Sequence, residues 1–167
     1  MTTRKVLLCS LIISLLCAAS WGIDLKEYID RFQLTESQVD NLNEEAEEEY
    51  EKGVTFLDHV LFEFALQQYQ KAAEAQPDNK DLKFLIGELA IYEGRKEKGE
   101  EAIAFFETAR KVYDDLRQME DLSEDDQEKV TQQTNKVNYL ISSQAERDAR
   151  RNRMMTRVIR TKVPVED

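Results

Sequence analysis

Residues 46–79 read AEEEYEKGVTFLDHVLFEFALQQYQKAAEAQPDN, from Ala46 to Asn79, and the order of small, aromatic and terminating residues within them decides the fold class. Gly53 and Ala65 are small enough for two antiparallel helices to approach closely, while Phe56 and Tyr69 fill the space between them. Ala72 leaves room for a following element, and Pro77, which lacks an N–H and clashes with the preceding turn, ends the second helix. The stretch predicts one helical hairpin.

A second unit begins one period later, because Gly87 lies thirty-four residues after Gly53. Asp78 and Asn79 can cap a helix starting near Lys80, whose apolar face at helical spacing is Leu82, Leu85, Ile86, Leu89 and Ala90. Gly94 is expected at the turn. Ala102, Phe106 and Ala109 then repeat the small–aromatic–small order of the first hairpin, with a three-residue insertion expected between Arg95 and Glu100. Asp114 replaces the closing proline, so that helix should run through Tyr113 to Leu116.

This pattern resembles the tetratricopeptide repeat, a 34-residue helical hairpin with Gly, Tyr, Ala, Phe, Ala and Pro at these positions. The usual Trp and Leu of the first helix are Glu49 and Lys52 here, and the turn position usually held by Gly is Val60. The resemblance implies a concave groove lined by the first helix of each repeat, which binds extended peptides or partner helices. By repeat position, the groove would be lined by Glu47, Tyr50, Val54 and Leu57, then Phe84, Glu88 and Ile91. That lining is apolar and acidic. The basic residues with which some family members grip a chaperone's carboxylate tail are missing from it, so an apolar or basic protein segment is the expected partner.

Two repeats bury little surface, so flanking helices must complete the core. Thr35 with Gln38 makes a capping box, and a helix from Glu36 is expected to run towards the acidic stretch 44–51. Ser123 with Asp126 starts another, with Val130, Val137 and Ile141 along one face. The expected fold class is therefore all-α, a short stack of antiparallel hairpins with capping helices. Its organisation is a signal peptide over 1–22, an N-terminal linker over 23–34, the repeat domain over 35–122, a helix with a basic end over 123–160, and a tail over 161–167.

Composition agrees. The 167 residues are 41% hydrophobic and 34% charged, with only five Gly and two Pro, which is too little turn chemistry for many short strands. A formal charge of −11 would repel a nucleic-acid backbone, so no nucleic-acid partner is expected. Arg4 and Lys5 precede an uncharged run from Val6 to Ala19, followed by Ser20, Trp21 and Gly22, the pattern of a secretory signal peptide and too short for a bilayer crossing. Cutting after Gly22 would remove both cysteines, Cys9 and Cys17, leaving no disulfide to form. Leu16 before Cys17 argues against lipidation. The final residues, Val163 to Asp167, do not form a luminal retention signal, so secretion and residence in the endoplasmic reticulum lumen both stay open.

Chemistry is sparse. His59 is the one histidine, near the expected turn of the first repeat, with no Ser or Asp pattern around it, and no glycine-rich phosphate loop occurs. No catalytic residue, metal site or cofactor is expected. Charge is unevenly distributed instead: residues 23–145 carry 14 basic and 30 acidic side chains. Residues 147–162 hold Arg147, Arg150, Arg151, Arg153, Arg157, Arg160 and Lys162 against Asp148 alone. Such a block reads as a solvated extension, as a surface for self-association or an acidic partner, or as a processing site near Arg150-Arg151. The leading expectation is a secretory-pathway binding module. A self-associating structural protein and a cleaved precursor are the alternatives.

Overall fold

Two asparagines set the starts of the first helices of the hairpins. In the computed structural model, which describes residues 29–162 and their side chains as far as Met155, Asn43 Oδ1 accepts from Ala46 N (2.8 Å) and Asn79 Oδ1 from Leu82 N (3.0 Å). Each satisfies a helix-start donor that has no partner within the helix. Among the described residues there is no strand, and after a helical end at residues 29–30 come six helices: α1 (Glu36–Val39), α2 (Glu44–Asp58), α3 (Phe62–Ala75), α4 (Lys80–Lys96), α5 (Gly99–Arg117) and α6 (Glu124–Lys162). α2 pairs with α3 and α4 with α5 as antiparallel hairpins; α3 packs on α4, and α6 closes the stack against α5.

The first hairpin is built as its sequence suggests. A side chain on Gly53 would collide with the Tyr69 ring, so the glycine makes the space that this ring fills. Ala65 and Ala72 are fully buried, and Val60 turns the chain with φ of 61°, a left-handed conformation that a β-branched residue adopts at a cost.

The second hairpin departs from expectation. Gly94 is not at a turn; it lies inside α4, against Phe106 and the Ala102 carbonyl. Gly87 makes the close helix contact, against Tyr113. The extra length therefore sits in the helices, 17 and 19 residues against 15 and 14 in the first hairpin, and not in a loop. The connection is only Glu97 and Lys98, followed by Gly99 at φ 65°.

Two flanking boundaries also shift. The Thr35–Gln38 capping box forms, but its helix stops at Val39. Gln76 holds the next turn through Asn43 N to Oε1 (2.8 Å) and Nε2 to Asn41 O (3.0 Å), so the chain starts afresh at Asn43. Residues 29–34, expected within a linker, contribute Ile29 and Phe32 to the core. At the other end Ser123 Oγ accepts from Asp126 N, Val130 and Val137 are buried, and α6 continues without a break to Lys162, past the expected boundary at 160. The proposed signal segment 1–22 and the final residues 163–167 lie outside the described residues.

Candidate functional site

The expected groove is not an open surface. Tyr50, Leu57, Phe84 and Ile91 are all buried, Val54 and Glu88 are half-buried, and Glu47 alone of the seven is exposed. Assigning groove positions by repeat number presumes a vacant concave face, and here two other parts of the chain cover it. Phe84 lies under Lys129 of α6, whose Nζ is 4.4 Å from the ring centroid and 3.4 Å from a Glu88 carboxylate oxygen.

Tyr50 lies under the segment before α1. Residues 29–34 are the end of a helix, at 29–30, and the turn that follows it, with Phe32 N donating to Ile29 O (2.9 Å) and Gln33 N to Asp30 O (3.2 Å). Two tyrosine hydroxyls hold its backbone. Tyr69 donates to Phe32 O at 3.0 Å, and Leu34 N donates to Tyr50 at 2.8 Å. The two rings stack, 5.4 Å apart and 18° from parallel, so the hydroxyls are presented as a pair. Burial raises the pKa of both phenols, which keeps them neutral at physiological pH, and keeps Tyr69 a donor.

The side chain of Phe32, 3% exposed, completes an aromatic cluster. It meets Phe62 edge-on at 6.0 Å and Tyr92 at 5.4 Å, and those two rings are 4.9 Å apart. The Lys96 ammonium stands 5.2 Å from the centroids of Phe62 and Tyr92 and pairs with buried Glu93 at 2.8 Å. A cation over these rings and a carboxylate to neutralise it make a lined socket for one aromatic side chain. Phe62, Tyr92 and Lys96 belong to the site and are not among the groove positions expected from the repeat. Nearby, partial burial and then the Arg95 and Arg31 charges lower the pKa of Lys136 on α6, against an opposing effect of Glu88.

Two further surfaces stand apart from the socket. At the α2–α3 turn Val60, Leu61 and Phe64 are 42–49% exposed, with Phe64 stacked on Phe56 at 5.6 Å. His59 is the C-cap of α2, its Nδ1–H donating to Thr55 O at 2.7 Å, and is exposed. The basic block is helical. Arg147, Arg150, Arg151 and Arg153 are exposed on α6, while Arg157, Arg160 and Lys162 fall on its last turns, where side chains are not described. Because Arg150 and Arg151 are inside a helix, a processing protease would have to unwind it first.

Among the described residues no group of three or more His, Cys, Asp or Glu side chains is arranged to hold a metal ion, and no helix is long and apolar enough to cross a membrane. No family model, curated protein or solved structure matches the chain.

Proposed function

We propose that the chain is an exported, non-catalytic protein-binding module of tetratricopeptide-like build, an adaptor or complex subunit. Its concave face takes a short turn-forming peptide with one aromatic anchor. The observation that supports this reading is the seating of Ile29–Leu34: two side-chain hydroxyls bond its backbone, and its aromatic residue enters a socket of Phe62, Tyr92 and Lys96. Main-chain hydrogen bonds with a side-chain pocket are the usual division of labour in peptide recognition. The chain's own segment is then the resident ligand, and a partner peptide gains access when it is displaced. Export follows from the reading of residues 1–22.

The test uses the chain from Ile23 onward and a fluorescent peptide spelling Ile29 to Ser37. Removing the resident anchor with Phe32→Ala sacrifices about 3 kcal/mol of buried contact, which corresponds to roughly a hundredfold greater availability of the site. Fluorescence anisotropy should show tight peptide binding by the variant and weak binding by the unaltered chain. A peptide with Ala for the phenylalanine should bind neither. Equal, negligible binding by both proteins, with the variant folded by circular dichroism, would reject a peptide groove and make Ile29–Leu34 ordinary core.

A further inference from the structure

Between Ala145 and Met155 α6 carries a net positive charge with no ion pair to the body among the described residues. Every side chain from Ala145 to Met155 is exposed except half-buried Asp148. Its arginines find their partners on the same helix: Arg147 donates to Gln144 Oε1 at 2.8 Å, and Arg150 lies 3.5 Å from Glu146. Neutralising the helix's own dipole does not account for the block. That effect is confined to the last turn, and Arg147 to Arg153 lie two or more turns before Lys162. At 1.5 Å per residue the stretch from Ala145 to Lys162 reaches about 27 Å, roughly three screening lengths at physiological salt. Over that length the two ends of the stretch are screened from each other.

The complementary surface is on α2. Glu44, Glu47, Glu48 and Glu51 are exposed and share one face, and of these Glu48 alone has a cation within reach, Lys52 at 2.9 Å. The spacing matches: Glu44, Glu47 and Glu48 stand at i, i+3 and i+4, as do Arg147, Arg150 and Arg151. These are the positions that line one stripe of a helix. A free anionic polymer or lipid surface would also attract the arginines, but it would repel the body, with its excess of acid. A second copy supplies an acidic helix to each basic helix and receives the same in return, which closes a two-fold dimer.

We propose that the basic stretch of α6 docks on the acidic face of α2 in a second copy of the chain, reciprocally. The inference concerns a different surface from the aromatic socket and stands whether or not that socket binds a peptide. Sedimentation equilibrium of the chain from Ile23 should give a dimer at 50 mM salt and a monomer at 500 mM, the dissociation constant rising at least tenfold. Two triple reversals test the pairing: Arg147→Glu, Arg150→Glu and Arg151→Glu on α6, and Glu47→Lys, Glu48→Lys and Glu51→Lys on α2. Each alone should be monomeric at 50 mM salt, because its tail and its α2 face carry like charge. Mixed one to one they should form a heterodimer, since both contacts are then attractive again. All six positions are exposed, so circular dichroism should match the unaltered chain, and the salt titration needs no variant. A monomer at 50 mM salt and 100 µM protein would overturn the proposal. So would a dimer that survives both reversals, failure of the folded variants to associate when mixed, or a monomer that instead binds phosphatidylglycerol vesicles.

Discussion

Gly94→Ala asks whether this glycine is a turn residue or a contact between helices. In an open helix interior the change would stabilise the fold by about 1 kcal/mol, the difference in helix propensity. Here the new methyl would lie 2.6 Å from the Phe106 ring and 3.1 Å from the Ala102 carbonyl oxygen. Phe106 is 1% exposed, so its ring has no space into which to retreat, and the carbonyl belongs to the backbone of α5. Overpacking of this kind costs about 1–3 kcal/mol, which offsets the propensity gain and leaves a net loss of about 0–2 kcal/mol. Urea unfolding followed at 222 nm should show a lower midpoint with an unchanged slope. A turn glycine would also lose stability, through its backbone angles, so the single variant does not decide the matter. The decisive species is Gly94→Ala with Phe106→Leu, in which the smaller side chain vacates the space. A double-mutant cycle should give a favourable coupling of about 1 kcal/mol or more. Additive losses, or a Gly94→Ala protein more stable than the original, would refute the packing of α4 on α5 at this point.

Val60→Gly should stabilise the protein by about 1 kcal/mol, since a β-branched residue at φ 61° is replaced by the residue that adopts that angle freely; the thermal midpoint should rise by about 3–5 °C. Tyr69→Phe and Tyr113→Phe should diverge in urea titrations. The first strands the Phe32 carbonyl and costs about 1–2 kcal/mol, whereas the second removes a buried hydroxyl that has no hydrogen-bond partner and is neutral or stabilising. Asp126→Asn tests the link between α4 and α6. The Lys80 ammonium, 2.5 Å away, and Ser123 hold the Asp126 carboxyl below its ordinary pKa of 3.8, so its contribution is complete above that value and is lost as the pH falls through the lowered one. Because both groups are partly solvated, the variant should lose less than about 1 kcal/mol at neutral pH, and the gap to the unaltered protein should close in acid.

The hairpins can be read from sequence because their determinants are local: Gly53 and Tyr69 meet across a single turn, and Asn79 caps its own helix, whereas the Asn43 cap is hidden by the helical pattern that runs from Glu36 into residues 44–51. The reach of α6 is legible too, since no Gly or Pro interrupts the chain between Ser123 and Pro164, and a helix ends at or before the residue preceding proline. Gly94 is harder to place. A glycine ahead of a charged stretch suits a turn as well as a close helix contact, and the choice between them depends on where Phe106 lies in the facing helix. The socket is least legible. Ile29 and Phe32 carry the i, i+3 spacing of a helical turn, but what covers Tyr50 depends on contacts between residues far apart in the chain, which periodicity does not report.

That separation has a consequence for the order of assembly. The bond from Tyr69 to Phe32 spans 37 residues, and the contact of Phe32 with Tyr92 spans 60, whereas each hairpin closes between neighbours in sequence. Closing long loops is slower and entropically costlier than pairing adjacent helices. Ile29–Leu34 therefore leaves the ribosome before any of its partners exists, and its phenylalanine stays uncovered until α4 has been synthesised and folded. The first described part of the chain to be made is among the last to find its place, and during that interval the nascent protein presents an aromatic segment that a chaperone or a neighbouring chain could hold.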